Sequence, residues 1–142
     1  MTVRTIVVGT DGSAGAERAV VWTTELAAQT GARVVLVHAF DPIGMLGSTP
    51  PPVDLPALAA ELRERLASSW ATPLAAAGVT FETELAEDRP IRALVRAADV
   101  HDADLVVVGA RGLSTVKGIV LGSTSDRLAH HTRRPVCIVH LD

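Results

Sequence analysis

Short apolar runs alternate with amphipathic stretches along most of this 142-residue chain. The runs have the sequences TIVVG ending at Gly9, RVVLVHAF ending at Phe40, VTFETELA from Val79, DLVVVGA from Asp104 and PVCIVHL from Pro135. Runs of this length that are rich in β-branched residues predict β-strands. Because most of them are apolar at nearly every position, we expect strands that are buried on both faces.

The stretches between the runs carry apolar residues at helical spacing. We predict helices over residues 13–30 and 55–77, a third helix that begins at Pro90 and a fourth that begins at Gly122. Pro73 is expected to kink or shorten the second helix, because proline lacks the N–H that an internal helical residue donates. The resulting order βαβαβαβαβ is typical of an α/β protein with a parallel sheet.

The third run differs from the others because apolar and acidic residues alternate in FETELAE. This pattern favours an edge strand with one wet face, and acidic side chains at an edge discourage stray pairing. If the third strand is an edge, right-handed crossovers give the strand order 3-2-1-4-5 with helices on both faces. We therefore predict one domain over residues 1–142, a three-layer α/β sandwich with an open five-stranded parallel sheet.

This strand order predicts where a ligand would bind. In doubly wound sheets, ligands bind beyond the carboxyl ends of the strands where the winding direction reverses, which here lies between strands one and four. Residues 9–13 end the first strand, and residues 109–112 end the fourth. Two segments that are far apart in sequence are therefore expected to meet at one crevice.

Residues 109–123 read GARGLSTVKGIVLGS, in which nine residues separate the second glycine from a Gly-Ser pair that opens the predicted fourth helix. Glycine lets the backbone approach a ligand closely, and a helix N-terminus presents unpaired N–H groups to an anion. Arg111 and Lys117 add positive charge. Arg111 is the stronger candidate, since its planar guanidinium can bind a phosphate through two hydrogen bonds. The segment is predicted to bind phosphate.

Asp11, directly after the first strand, has two interpretations. A carboxylate at the end of this strand suits a ligand in the crevice, but aspartate before a helix also commonly caps the first N–H groups. Ser13 is the better capping candidate, and we therefore favour a ligand role for Asp11.

Other kinds of site receive little support from the sequence. The glycines at residues 9–15 have the wrong spacing for a dinucleotide fingerprint, and neither a G-x-S-x-G elbow nor a Walker A lysine pattern is present. His130 and His131 are adjacent on a predicted helix and would point about 100° apart, which makes a poor chelate. We expect no metal site, a packed His38, and Trp22 and Trp70 in the core, away from the strand ends.

Composition excludes further classes of function. The formal net charge is −3 and only 3% of residues are aromatic, so the chain lacks the features of a nucleic-acid-binding protein. No stretch approaches the roughly 20 apolar residues of a membrane span, and no apolar leader follows Met1, so we expect a cytoplasmic protein. Cys137 lies in an apolar run and is expected to be a buried thiol. The role of the proline-rich loop at residues 41–56 stays open.

The glycine pattern G-x2-G-x9-G-S/T, the opening VVGTDGS, the run VLVHAF and the closing RRPVCIVH together resemble the universal stress protein family. The resemblance extends from end to end of the chain. The glycine pattern is the signature of the ATP-binding branch of that family. The resemblance therefore implies a small, cytoplasmic, ATP-binding regulatory protein of the stress response.

The same resemblance implies roles for individual residues. Asp11 would contact the ribose or the adenosine end of ATP, and the backbone of Ala39 would lie against adenine. The residues that would line the nucleotide are Thr10, Asp11, Ala39, Gly109, Arg111, Gly112, Gly122, Ser123 and Thr124. The cofactor would be ATP, with or without Mg²⁺ or Mn²⁺, and two copies would form a homodimer through the C-terminal strand from Val136 to Leu141. Ala110 departs from the serine of many relatives.

Several functions stay open at this point. AMP or cyclic AMP are alternative ligands, and an unidentified protein partner would read the nucleotide-bound state. A slow ATPase or a self-phosphorylating switch, with Ser114, Thr115, Ser123 or Thr124 as acceptors, is a second hypothesis. A dimeric scaffold that uses no nucleotide is a third. No general base is evident near the predicted phosphate site, so we expect slow catalysis at most.

Overall fold

The computed structural model describes residues 2–42, 54–110 and 123–141. Within these ranges the strands are β1 (Thr5–Gly9), β2 (Arg33–Phe40), β3 (Phe81–Glu87), β4 (Leu105–Gly109) and β5 (Val136–Val139). The helices are α1 (Ala14–Thr30), α2 (Leu55–Ala67), α3 (Thr72–Ala76), α4 (Pro90–Val100) and α5 (Ser123–His131). A 3-10 turn, Ser69–Ala71, lies between α2 and α3.

The strands form one sheet in the order β3-β2-β1-β4-β5, and every neighbouring pair is parallel. The predicted fold and strand order are confirmed. β3 lies at one edge, as the acidic alternation of FETELAE predicts, and β5 lies at the other. The winding direction therefore reverses between β1 and β4.

Two apolar cores cover the two faces of the sheet. Ile6 and Val8 of β1 face α1, α2 and α3, whereas Val7 between them faces α4 and α5. Adjacent residues of a strand point to opposite faces, so a strand that is apolar at every position supplies both cores. This arrangement explains why β1, β2 and β4 read as continuous apolar runs.

The predicted second helix is divided in the structure. The helical pattern over residues 55–77 is interrupted after Ala67 by the 3-10 turn, and Pro73 stands in the first turn of the short helix α3. Proline is tolerated in a first helical turn, where its missing N–H has no intrahelical partner, but not in a helix interior. Of the two effects expected of Pro73, the structure shows a shortened helix rather than a kinked one.

Both ends of α1 are formed by residue types that commonly begin and end helices. Ser13 is the N-cap, since its Oγ accepts a hydrogen bond from the N–H of Ala16 at 3.2 Å, as predicted. Gly31 ends the helix at φ +76°, in the left-handed region that favours glycine. Among the helices of the described ranges, none combines the length and the apolar character that crossing a membrane requires.

Asp104 joins the starts of β1 and β4 at the amino end of the sheet. Its Oδ2 accepts hydrogen bonds from the N–H groups of Arg4 and Thr5 at 2.8 and 3.1 Å, and these bonds hold the pKa of the carboxyl below the usual 3.8 of an aspartate. A depressed pKa means that the carboxylate stabilises the fold above the pKa of the unfolded chain and loses this effect as pH falls.

We predict that Asp104→Asn destabilises the protein near neutral pH and that the difference from wild type shrinks once the pH drops below 3.8. Denaturant unfolding of both proteins at several pH values measures the effect. A difference that stays constant across this range would contradict the charge-based explanation.

Gly109, the last residue of β4, approaches the first turn of α1 so closely that a side chain has no room. A Cβ at Gly109 would lie 2.7 Å from the carbonyl oxygen of Gly15, whereas a Cβ at Gly9 would lie 3.0 Å from Cδ2 of Leu94. The backbone at Gly15 can shift only if the first turn of α1 moves with it, whereas the end of a leucine side chain can shift alone.

We therefore expect Gly109→Ala to cost about 1–3 kcal/mol of unfolding free energy, the usual range for overpacking, and Gly9→Ala to cost less. Denaturant unfolding of the two variants tests the comparison. An equal or larger loss in Gly9→Ala would show that β4 and α1 can separate easily.

Candidate functional site

The carboxyl ends of β2, β1 and β4 lie side by side, because these strands are parallel neighbours in the sheet. We call the region above them the carboxyl-end crevice. Ala39 lies at the end of β2, Thr10 and Asp11 directly follow β1, and Gly109 ends β4. The sheet thus brings four of the predicted site residues together at the carboxyl ends of its strands, although they are far apart in sequence.

The remaining predicted site residues are described in part or not at all. Arg111, Gly112 and Gly122 lie outside the described residues. Ser123 and Thr124 are the first residues of α5, and only their backbone is described. The described structure therefore covers the β1 and β2 side of the crevice and the two ends of the glycine-rich segment.

Residues 10–13 form a compact turn between β1 and α1, which we call the 10–13 turn. The N–H of Thr10 donates to the carbonyl of Val37 at 2.9 Å, and Thr10 Oγ1 accepts from the N–H of Gly12 at 3.2 Å. Asp11 Oδ1 accepts from the N–H of Ser13 at 2.9 Å. These bonds join the turn to β2 and hold its backbone.

The structure revises the interpretation of Asp11. Ser13 is the N-cap of α1, as expected. Asp11 also takes part in the local hydrogen bonding, because its carboxylate accepts from the backbone N–H of Ser13. Aspartate commonly forms this bond to the backbone two residues ahead. Asp11 is half-buried beside the crevice. It therefore shapes the turn whether or not it also contacts a ligand.

The polar backbone groups of Ala39 face the crevice side of β2. Val37 directs its carbonyl towards Thr10, and Phe40 directs its carbonyl towards Asp88 on the β3 side. Successive residues of a parallel strand direct their backbone N–H and C=O groups to opposite neighbouring strands. Ala39 is two residues after Val37, so its N–H and C=O point to the same side as those of Val37, towards β1. The β1–β2 pairing ends at Gly9 opposite Val37, so these groups lie beyond it. A donor and an acceptor side by side suit the edge of a heterocyclic base.

The end of β4 is fixed on both sides. The N–H of Ala110 donates to the carbonyl of Val139 at 2.9 Å, and the Ala110 carbonyl accepts from Ser125 Oγ at 3.0 Å. Ser125 is buried in the first turn of α5. Together with the contact between Gly109 and Gly15, this places the amino ends of α1 and α5 next to the end of β4. Helix amino ends attract anions.

Trp70 is a residue of this region that sequence analysis placed elsewhere. Trp70 packs against the core, as expected, but the expectation that it lies away from the strand ends is wrong, since a Cβ at Gly12 would lie 2.6 Å from Cζ2 of Trp70. The indole also meets the His38 ring edge-on, with ring centroids 5.1 Å apart at an angle of 73°. The break before Pro73 is the signal that could have indicated this position, because it releases Trp70 from a continuous helix.

His38 is packed, as expected, but it also makes a specific hydrogen bond. Its Nδ1 lies 2.7 Å from the carbonyl oxygen of Thr10. A carbonyl only accepts, so Nδ1 carries a proton and the ring fixes the end of β1. In the part of the chain that the structure describes, no group of three or more His, Cys, Asp or Glu side chains is arranged to hold a metal ion.

Comparisons with known proteins agree with this fold along the whole chain. Residues 2–140 match the model of the Universal stress protein family. A protein of Thermus aquaticus, described as a universal stress protein in the QAH/OAS sulfhydrylase 3' region, is 37% identical over 138 residues, which are 96% of this chain and 98% of that relative. A universal stress protein of Mycolicibacterium smegmatis is 32% identical, but this chain spans only 48% of its length.

Solved structures give the same result and include nucleotide complexes. A universal stress protein crystallised with cAMP has a TM-score of 0.77 and 33% identity, with all of both chains covered. A universal stress protein of Archaeoglobus fulgidus in complex with dAMP has a TM-score of 0.71 and 25% identity over 98% of this chain and 99% of that one. Since both the family model and a relative of matching length extend over almost all of its residues, this chain belongs to the universal stress protein family.

Proposed function

We propose that this chain is a cytoplasmic regulatory protein that binds an adenine nucleotide, ATP in the first place, in the carboxyl-end crevice. The observation that carries the proposal is the position of the 10–13 turn and Gly109 on either side of the switch point between β1 and β4. Open α/β sheets bind their ligands at such a point. The likeness to structures with bound cAMP and dAMP supports an adenine ligand.

In this proposal the base and ribose occupy the β1 and β2 side of the crevice. The N–H and C=O of Ala39 would pair with the edge of adenine, which offers an amino donor next to a ring-nitrogen acceptor. The Asp11 carboxylate would accept hydrogen bonds from ribose hydroxyls, which suit an anionic acceptor. Thr10 is only 8% exposed. It would therefore contribute backbone groups and hold the turn in place, rather than present a large side-chain surface to the nucleotide.

The phosphates would lie on the β4 side, where Gly109 and the amino end of α5 meet. The glycine pattern of residues 109–123 contributes Gly112 and Gly122, and Ser123 and Thr124 open α5. N–H groups at a helix start and in a glycine-rich segment are suitable phosphate donors, and Arg111 would add a guanidinium. Mg²⁺ or Mn²⁺ would arrive with the nucleotide and be held mainly by phosphate oxygens.

A monophosphate is the second candidate ligand. The solved relative with 33% identity holds cAMP, and one with 25% identity holds dAMP. We rank ATP first because the glycine-rich segment extends over residues 109–123, long enough to line a triphosphate. Competition among ATP, ADP, AMP and cyclic AMP, followed by analysis of the released nucleotide for hydrolysis or protein phosphorylation, distinguishes these ligands and a slow ATPase.

The Asp11 role is tested by Asp11→Asn, which retains an Oδ1 to accept from Ser13 N–H while removing the negative charge. Hydrogen bonds to charged groups contribute about 1.5–3 kcal/mol, so we expect ATP affinity to fall by roughly tenfold or more. Isothermal titration calorimetry measures the affinity.

Asp104→Asn is the matched control, because Asp104 lies at the amino end of the sheet and should leave ATP affinity unchanged. A wild-type protein that binds none of the four nucleotides would refute the proposed function. Binding that is equally strong in Asp11→Asn would refute only the role of Asp11.

We further propose that two copies pair through β5. Val136, Cys137 and Ile138 are half-buried on this edge, and burial raises the pKa of the Cys137 thiol. Pro135 and Val139 direct their carbonyls to β4, so strand alternation turns the polar backbone groups of Ile138 to the free edge. The opposite edge carries Glu82, Glu84 and Glu87, which would repel a second copy.

Ile138→Pro tests this interface. It removes an N–H from the free edge but no hydrogen bond of the β4–β5 ladder, which is the position at which an edge strand tolerates proline. We expect sedimentation equilibrium to show a dimer for wild type and a monomer for the variant, with the same circular dichroism spectrum. A monomeric wild type at high protein concentration would contradict the proposal.

A further inference from the structure

The segment between α2 and α3 reaches from the helical layer to the 10–13 turn. The core beside α1 holds this segment in place through Leu66 before it, Ala71 within it and Leu74 after it, each of which is at most 1% exposed. Trp70 stands between these anchors and is only half-buried. The anchors fix the backbone on both sides of Trp70, so its indole is held at the end of β1.

The indole of Trp70 packs against one side of the glycine of the 10–13 turn. A Cβ at Gly12 would lie 2.6, 2.7 and 2.9 Å from Cζ2, Cε2 and Nε1 of Trp70, so the long edge of the ring packs against the Gly12 backbone. Gly12 has φ +78°, a conformation that other residues rarely adopt. The indole thus occupies the space that a side chain at this position would need.

His38 holds the other side of the same turn. Its Nδ1 donates to the carbonyl of Thr10, and its ring lies edge-on against Trp70. Asp11 lies between Thr10 and Gly12, the two residues that this pair of rings contacts. A shift of the indole would therefore change the backbone on both sides of the Asp11 carboxylate.

We propose that Trp70 is a positioning residue of the nucleotide site. It holds Gly12 in the left-handed conformation, and this sets the direction of Asp11 and of the first N–H groups of α1 towards the crevice. Trp70 acts through the turn, without any contact to the nucleotide. The inference rests on the proposed function, because it assigns Trp70 a part in binding the same ligand.

Trp22 provides the comparison that separates positioning from general packing. It is half-buried on α1 against the same core as Trp70, and the chain has only these two tryptophans. Trp22→Ala should destabilise the fold but leave the ATP dissociation constant within a few-fold of wild type. Trp70→Ala should raise that constant by about tenfold or more, because the ligand must then also order the turn.

Calorimetric titration with ATP of wild type, Trp70→Phe, Trp70→Ala and Trp22→Ala is the test. Trp70→Phe keeps an aromatic ring in the same place and should recover most of the affinity. If wild type binds no nucleotide, the proposed function and this inference both fail. If wild type binds ATP and Trp70→Ala binds it equally well, the inference fails and the proposed function stands.

Gly12→Ala keeps the inference testable if Trp70→Ala does not fold. It inserts a methyl group against the indole, whereas Gly31→Ala places one at a similar φ of +76° with nothing within 4 Å. Both variants strain the backbone, but only Gly12→Ala should weaken ATP binding. Equal ATP affinity in the two variants would overturn the role of the contact between Gly12 and Trp70.

Discussion

The candidate site depends on the close approach of β4 to the first turn of α1. With only 2.7 Å between the Cβ position of Gly109 and the Gly15 carbonyl oxygen, any side chain at Gly109 would push the helix away from the sheet. This contact places a helix amino end beside the switch point of the sheet. Glycine at this position is therefore required by packing, and the same packing creates the arrangement that an anionic ligand needs.

The two ends of the sheet are stabilised by different interactions. At the amino end, Asp104 accepts from two backbone N–H groups, and Arg134 pairs with Asp99 and Asp102 at 3.2 and 3.1 Å. At the carboxyl end, the contacts are the approach of Gly109, the ring of Trp70 and hydrogen bonds within the 10–13 turn. Carboxylates and a guanidinium thus hold the end away from the crevice, whereas close packing against glycines and short side-chain-to-backbone hydrogen bonds shape the end where a ligand would bind.

Much of this architecture could be predicted from the sequence, for physical reasons that differ between elements. Continuous apolar runs indicated β1, β2 and β4 because both of their faces are buried, and FETELAE indicated an edge. The position of Trp70 was not predicted, although Pro73 signals a break in the helix nearby. Leu58, Leu62, Leu66, Trp70 and Leu74 keep a helical spacing through residues 55–77, so the pattern hides the break at residues 69–71.

Asp11 shows a second limit of sequence analysis. Capping and ligand binding looked like alternatives because a carboxylate directly before a helix suits either role. The structure shows that Ser13 caps α1 while Asp11 holds the N–H of Ser13, so a residue can fix a turn and still border a crevice. The distinction depends on which backbone N–H each oxygen meets, and residue spacing alone does not determine that.

The glycine-rich segment is tied to the crevice at both of its ends. The carbonyl of Ala110 and the hydroxyl of Ser125 are 3.0 Å apart, so the chain that leaves β4 returns to almost the same point to begin α5. Closing a loop reduces chain entropy, and a hydrogen bond between its two ends reduces the freedom that the ends would otherwise keep. Ala110 and the amino end of α5 therefore lie together beside Gly109 and the amino end of α1. This geometry gives a physical reason why the proposed phosphate contacts of that segment and the proposed ribose contact of Asp11 would serve the same ligand.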